Sequence, residues 1–325
     1  MVCARIHKRM ATPTNKPATN LVQDTIQALD KLNGLHPGFR PAHAKGVMLS
    51  GTFTPSPDAS LLTRAPHAQR ASTPVTARFS DFAGFPAVAD NDGNLASPRG
   101  FAVRFHLAEH VHTDIIGHSA DGFPTRTAEE FVEFLRAAAA SGPGAVKPSP
   151  IEVFLGAHPK ALAFVQLPKP IPSSFARESF FSVTAYKFIN RDGAEQWGRY
   201  RIVPAAGNEY LDRAAAGAKG PDFLFEELAE RIAKGPVKMN VVVQLAGKGD
   251  TVDDATAQWP EDRPRINFGS IALTARISDD NVEARRMIFD PIPRVDGIDP
   301  SADPLLEPRA AVYLASGRRR RAASE

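Results

Sequence analysis

Cysteine is almost absent from this 325-residue chain: Cys3 stands alone, so no disulfide can form within it, and nothing argues for an oxidising compartment. Long apolar runs are missing too. No stretch approaches the roughly 18 residues needed to cross a bilayer. The first ten residues, Met1 to Met10, lack the apolar core of a secretory signal. A cytoplasmic protein is expected, with Met1 or Met10 as alternative translation starts. Neither sign of charge dominates. A net charge of +3 gives no chain-wide basic character for nucleic acid, and only the run from Arg318 to Arg321 is strongly basic. The glycines compose no dinucleotide fingerprint, and Gly247-Lys-Gly-Asp250 lacks the spacing of a phosphate loop and reads as a turn. Tryptophan and tyrosine are scarce, at 2 and 4 against 20 phenylalanines, which points to broad apolar walls with few polar handles.

What remains is an ordinary globular composition, 43% hydrophobic and 23% charged. We expect one main domain over residues 20–321 behind a polar, disordered tail at 1–19. Leu21, Val22, Ile26, Leu29 and Leu32 follow helical spacing up to Gly34. Thr127 and Glu130 have capping-box spacing ahead of the Phe131, Phe134, Leu135 stripe, and residues 222–234 form an amphipathic helix ending at Gly235. Strands are expected at 46–54, 74–80, 100–106, 113–117, 181–189, 200–203, 237–245 and 266–277. The Ala/Gly-rich stretch 205–220 reads as loop. Hairpin-like strands with helices between and after them argue α+β, best fitted by an antiparallel barrel with flanking helices.

Several segments carry candidate chemistry. In the last helix, Arg309, Tyr313 and Arg320 fall on one face. An arginine one turn from a tyrosine favours the phenolate, a hard ligand for ferric iron; plain packing of an apolar face is the alternative. His43, in Arg40-Pro-Ala-His43-Ala-Lys-Gly46, precedes a strand and suits a general base near neutral pH, or is simply a hydrogen-bonded histidine. In Pro74-Val-Thr-Ala-Arg78-Phe79-Ser80, Arg78 and Ser80 share one face. An inward Arg78 needs an anion such as a ligand carboxylate; an outward one needs only water. Phe101, Val103 and Phe105 read as core. His106, His110, His112 and His118 crowd together, but without acidic or thiolate partners at a metal-site spacing.

In combination these segments resemble the catalase superfamily, and most of all its short members, the catalase-related haem peroxidases. The residues that carry the resemblance run Arg40-x-x-His43-Ala-Lys-Gly46, Pro74-Val-x-x-Arg78-Phe-Ser80, Arg99-Gly-Phe-Ala, Asp290-Pro-Ile-Pro and Arg309-x-x-x-Tyr313. The resemblance implies an eight-stranded antiparallel barrel with flanking helices and without the long arms of typical catalases. It also implies haem b, with Tyr313 as the iron's axial ligand and Arg309 stabilising its phenolate. His43 would be the distal acid/base and Ser80 its partner, while Arg40, Arg78 and Arg320 would meet the propionates. Phe79, Phe123 and Phe289 are pocket-wall candidates, with ordinary core packing an equal alternative. Two departures favour a peroxidase over a catalase. His118 stands where typical catalases carry a distal asparagine, and Gly317 stands where a histidine is expected one turn after the tyrosine. Hydrogen peroxide or organic hydroperoxides and a small reducing co-substrate are the implied partners, with a monomer or homodimer rather than an interwoven tetramer.

Two local puzzles accompany the resemblance. Strict strand alternation would put Arg40 and His43 on opposite faces, so a turn must intervene if both meet one ligand. Pro308, just before Arg309, makes the last helix either start there or bend in its first turns.

Overall fold

The computed structural model describes residues 18–278 and 286–323. Cys3, Met10 and almost all of the expected tail lie outside them. The helices are α1 (Ala18–Asn33), α2 (Pro57–Leu62), α3 (Pro66–Gln69), α4 (Ala128–Ala139), α5 (Pro150–Ala157), α6 (Pro159–Val165), α7 (Arg213–Gly217), α8 (Phe223–Lys234) and α9 (Leu306–Ala322). The strands are β1 (Gly46–Pro55), β2 (Thr73–Ser80), β3 (Gly100–Ala108), β4 (Val111–His118), β5 (Ile171–Pro172), β6 (Phe180–Phe181), β7 (Tyr186–Ile189), β8 (Glu195–Pro204), β9 (Tyr210–Leu211), β10 (Val237–Leu245), β11 (Arg265–Arg276) and β12 (Ile298–Pro300).

Antiparallel pairing runs β10-β11-β1-β2-β3-β4-β6-β8 and returns to β10, which closes an eight-stranded barrel. Closure leaves no free edge in this ring. Strand period two sorts the side chains. Val75, Ala77 and Phe79 of β2 face inward, as do Phe101, Val103 and Phe105 of β3, and all are buried. The interior is solid with phenylalanine: Phe53, Phe79, Phe101, Phe105, Phe175, Phe180, Phe188 and Phe268 are each at most 1% exposed. Each such ring stabilises the fold by about 1.5–3 kcal/mol. Phe79 belongs here, stacked on Phe175 at 5.3 Å, and not to a pocket wall.

The helices cover part of the outside. Ala28 and Leu29 of α1 and Leu135 of α4 form a core of their own with Phe131 and Phe134. The capping box at the start of α4 is present: Glu130 N–H donates to Thr127 Oγ1 at 3.3 Å, and Thr127 N–H donates to Glu130 Oε2 at 3.3 Å. Helix α9 starts at Leu306, ahead of Pro308. The proline sits in the first turn, where a missing N–H loses no helical bond, and Arg309 N–H donates to Leu305 O at 3.0 Å. Arg319 ties α9 to α1 through Asp30, at 2.5 and 2.9 Å. The stretch 205–220 is not all loop, since it holds β9 and α7.

Candidate functional site

One row of directly opposed residues crosses four neighbouring strands on the outer face of the barrel: Gly46, Ser80, Gly100 and His118. Gly100 lies between Ser80 and His118. A Cβ there would stand 2.6 Å from Ser80 Oγ and 2.8 Å from His43 Nδ1, so the His43 ring rests on the space that glycine leaves. Ser80 Oγ is 3.2 Å from His43 Nδ1. At Gly46 a Cβ would run into the Arg78 guanidinium, which makes a second close approach that only glycine allows.

His43 reaches this row because the chain turns before β1. A turn at residues 37–38 is followed by bends at 39 and 41–43, and His43 adopts φ +57°, a left-handed conformation uncommon outside glycine. Its backbone N–H donates to Phe82 O at 2.6 Å, and Ala44 N–H donates to Ala83 O at 2.9 Å. That turn answers the alternation puzzle, because Arg40 and His43 are not on one strand.

Arg40, Arg78 and Arg320 converge beside the ring. Each has its pKa pulled down, first by burial. Neighbouring guanidiniums add to this: Arg78 and Arg320 at Arg40, Arg320 at Arg78, and Arg321 and Arg319 at Arg320. Arg78 is lowered to about 9 and Arg320 to about 10. Their hydrogen bonds go largely to carbonyls. Arg40 donates to Met287 O at 3.2 Å, Arg78 to His43 O at 2.9 Å and Ala44 O at 3.2 Å, and Arg320 to Met287 O at 3.0 Å. Among the described residues, no carboxylate forms an ion pair with Arg40 or Arg78.

Tyr313 completes the group from α9. Arg309 donates to its hydroxyl over a long 3.4 Å and to Thr184 Oγ1 at 3.3 Å. Tyr313 is close enough to Arg40 to favour that residue's charge. Gly317, one turn on, has no room for a side chain, since Ile288 packs against its Cα where a Cβ would go.

The histidines of the site are neutral near pH 7. Burial, then Arg78, His118 and Arg40, lowers His43 to about 3; burial, then Arg309, lowers His118 to about 4. Ala120 N–H donates to His118 Nδ1 at 3.3 Å, which places the proton of the neutral ring on Nε2. The other crowded histidines lie elsewhere. His106 bonds Thr76 Oγ1 at 2.9 Å, His112 faces it across the β3–β4 hairpin, and His110 sits exposed at the hairpin turn. Phe123 lies near the site beside Phe164, whose ring is 6.5 Å from it and 6.4 Å from His118. Phe289 packs under Arg104, with the guanidinium 5.6 Å from its ring centre.

Gly100, Thr184 and the Met287 carbonyl were not singled out for these roles by sequence. Only Gly100 left a signal: pairing Ser80 with His118 through β3 puts a residue with no side chain under a histidine.

The donor set fits an iron porphyrin. Arg40 and Arg78, buried guanidiniums with no ion-pair carboxylate among the described residues, are costly to keep charged, and propionates would supply a counter-charge. A tyrosine oxygen beside an arginine can ligate ferric iron, and a neutral histidine offers a proton acceptor.

Comparison with known proteins agrees. The family model described as Catalase matches residues 7–324. A catalase-related peroxidase of Mycolicibacterium paratuberculosis is 35% identical over 294 residues, covering 90% of this chain and 92% of that protein. One from Synechococcus elongatus is 32% identical over 305 residues, covering 92% of this chain and 88% of that protein. The crystal structure of a fungal catalase superposes with a TM-score of 0.77 at 22% identity, covering 98% of this chain and 66% of that one. The family model and these relatives show that the chain belongs to the catalase family.

Proposed function

We propose that the chain is a haem-dependent peroxidase that holds haem b and reduces hydrogen peroxide or organic hydroperoxides with small electron donors. Tyr313 would ligate the iron, Arg309 would favour its phenolate, and Arg40, Arg78 and Arg320 would meet the propionates. When bound, the haem supplies the redox chemistry: it accepts oxidising equivalents from peroxide and passes them to a donor.

The protons fall to His43. With Nδ1–H donated to Ser80 Oγ, Nε2 presents a lone pair to peroxide, and the lowered pKa keeps that lone pair available at neutral pH. His43 takes the proton from one peroxide oxygen and returns it to the other, which leaves as water or alcohol. The left-handed backbone, the Gly100 floor and Ser80 together fix the ring for both transfers. This supported histidine is the observation that carries the reading.

His118 favours peroxidase over dismutation. Its neutral ring offers one donor, Nε2–H, because Nδ1 is taken by Ala120. An asparagine amide offers both a donor and an acceptor with which to hold a second peroxide as reductant. The test is direct. Haem-loaded protein is expected to oxidise added donors only when peroxide is present, and to evolve little oxygen without a donor. No peroxide-dependent donor oxidation would refute the reading; vigorous oxygen evolution would make it a catalase.

A further inference from the structure

The chain's four tyrosines differ sharply in surroundings. Tyr186 and Tyr200 are sealed in the barrel, and Tyr313 belongs to the candidate site. Tyr210 alone joins solvent to a buried acid. It is 44% exposed, yet its hydroxyl donates at 2.9 Å to Oε1 of Glu178, a residue only 2% exposed. Asn208 Nδ2 donates to the same hydroxyl at 3.2 Å, and Ser179 N–H donates to Glu178 Oε1 at 3.0 Å, so both partners are held in place.

Behind Glu178 lies Arg99, fully buried and near enough to favour the charge of that carboxyl. Burial nevertheless raises Glu178 to about 7, a proton affinity suited to taking and returning a proton at neutral pH. Arg99 links this pair to the haem pocket by a single peptide, since the next residue is Gly100, the floor beneath His43. Its Nε also lies 3.5 Å from Asp81, the residue after Ser80.

We propose that Tyr210 is a surface oxidation site for aromatic donors too bulky to enter the pocket, with Glu178 as its proton partner. The proposal rests on the peroxidase reading, which supplies the oxidant: haem oxidised by peroxide. The Tyr210 phenol loses one electron inward, and its proton moves along the hydrogen bond to the Glu178 carboxylate, leaving a phenoxyl radical at the surface. A bulky aromatic donor then gives one electron to the phenoxyl, and Glu178 returns the proton, restoring both groups. Two such cycles deliver the two electrons that one peroxide consumes.

The experiment uses haem-loaded protein and two donors, the bulky dianion ABTS and the small anion iodide. Samples frozen within milliseconds of adding hydrogen peroxide are read by electron paramagnetic resonance. The parent should show a tyrosyl signal that is at least about tenfold weaker in Tyr210→Phe. ABTS oxidation should fall about tenfold in that variant while iodide oxidation stays unchanged. A signal of the same size in Tyr210→Phe, or undiminished ABTS oxidation, overturns the proposal. A parent that oxidises neither donor defeats the peroxidase reading itself, and a different result marks that failure: no peroxide-dependent turnover in any sample.

Discussion

Two clusters of buried cations lie on either side of the same strand ends, and they are neutralised differently. In one, Lys45 pairs with Asp90 at 2.5 Å and Asp222 at 2.7 Å, while Arg99 sits 3.5 Å from Asp81. Cations and acids there belong to the chain itself. In the other, Arg40 and Arg78 crowd Arg320, and their hydrogen bonds end on the carbonyls of His43, Ala44 and Met287. Adjacent residues feed both: Lys45 follows the His43–Ala44 carbonyls that Arg78 caps, and Asp81 follows Ser80. The Lys45 cluster is paired with carboxylates of the chain, whereas the described residues give Arg40 and Arg78 no ion-pair partner, which suits the anion of a ligand. Burial alone therefore does not distinguish a structural charge from a binding charge, but the identity of the counter-group does.

The comparison can be broken in four ways. The largest effect belongs to His43→Ala, which should keep haem yet lower peroxidase turnover by about 10²–10⁴-fold in steady-state assays. Unchanged turnover would remove the ring from the chemistry. Next come paired substitutions in the two clusters, read by urea unfolding of haem-free protein. Arg99→Met should cost about 1–3 kcal/mol, because Asp81 loses its neighbouring cation and the carbonyls of Asp90 and Pro170 lose their donor. Arg78→Met should cost less than about 1 kcal/mol, or even stabilise, while weakening haem binding. Equal costs would erase the distinction between the clusters.

A comparable effect is expected at the floor of the site. Gly100→Ala should destabilise by about 1–3 kcal/mol, since its Cβ would press on Ser80 and His43. It should lower turnover even at temperatures where the protein is fully folded. The last is a pH slope, felt only in acid. His67 is buried among Phe53, Phe105 and Phe268, and burial first, then Arg70, lowers it to about 3 from an ordinary 6.5. Between those values the unfolded chain binds the proton that the fold excludes. The histidine's contribution to stability is therefore complete above pH 6.5 and is lost as pH falls toward 3. His67→Phe should flatten this part of the acid unfolding profile of haem-free protein; an unaltered slope would contradict the assignment.

How much of this was legible in the sequence depended on range. The β2 alternation was: Arg78 and Ser80 on one face and Phe79 on the other, because period two needs no partner; that Arg78 and Ser80 take the outer face was not, since it needs the closed barrel. The α9 face was equally plain, with Arg309, Tyr313 and Arg320 at helical spacing. The capping box at Thr127 was readable for the same reason. Placement of His118 beside Ser80 was not, since it needs the registers of β2, β3 and β4 together. Closure of the barrel depends on Phe180–Phe181; the expected strand at 181–189 ran it together with β7, because two residues are too short for any periodicity of their own. The Met287 carbonyl has no side-chain signature at all. Glu178 and Tyr210 meet across 32 residues, inside and beside a stretch that reads as loop.

Haem binding and turnover alike are expected to depend on an iron porphyrin held through Tyr313. Haem titration of the Tyr313→Phe variant, followed by absorption spectroscopy, tests it most directly. The account predicts an altered visible spectrum and an affinity loss beyond the roughly 10–100-fold typical of outer-shell changes. A variant that binds haem as tightly as the parent, with the same visible bands, would contradict it.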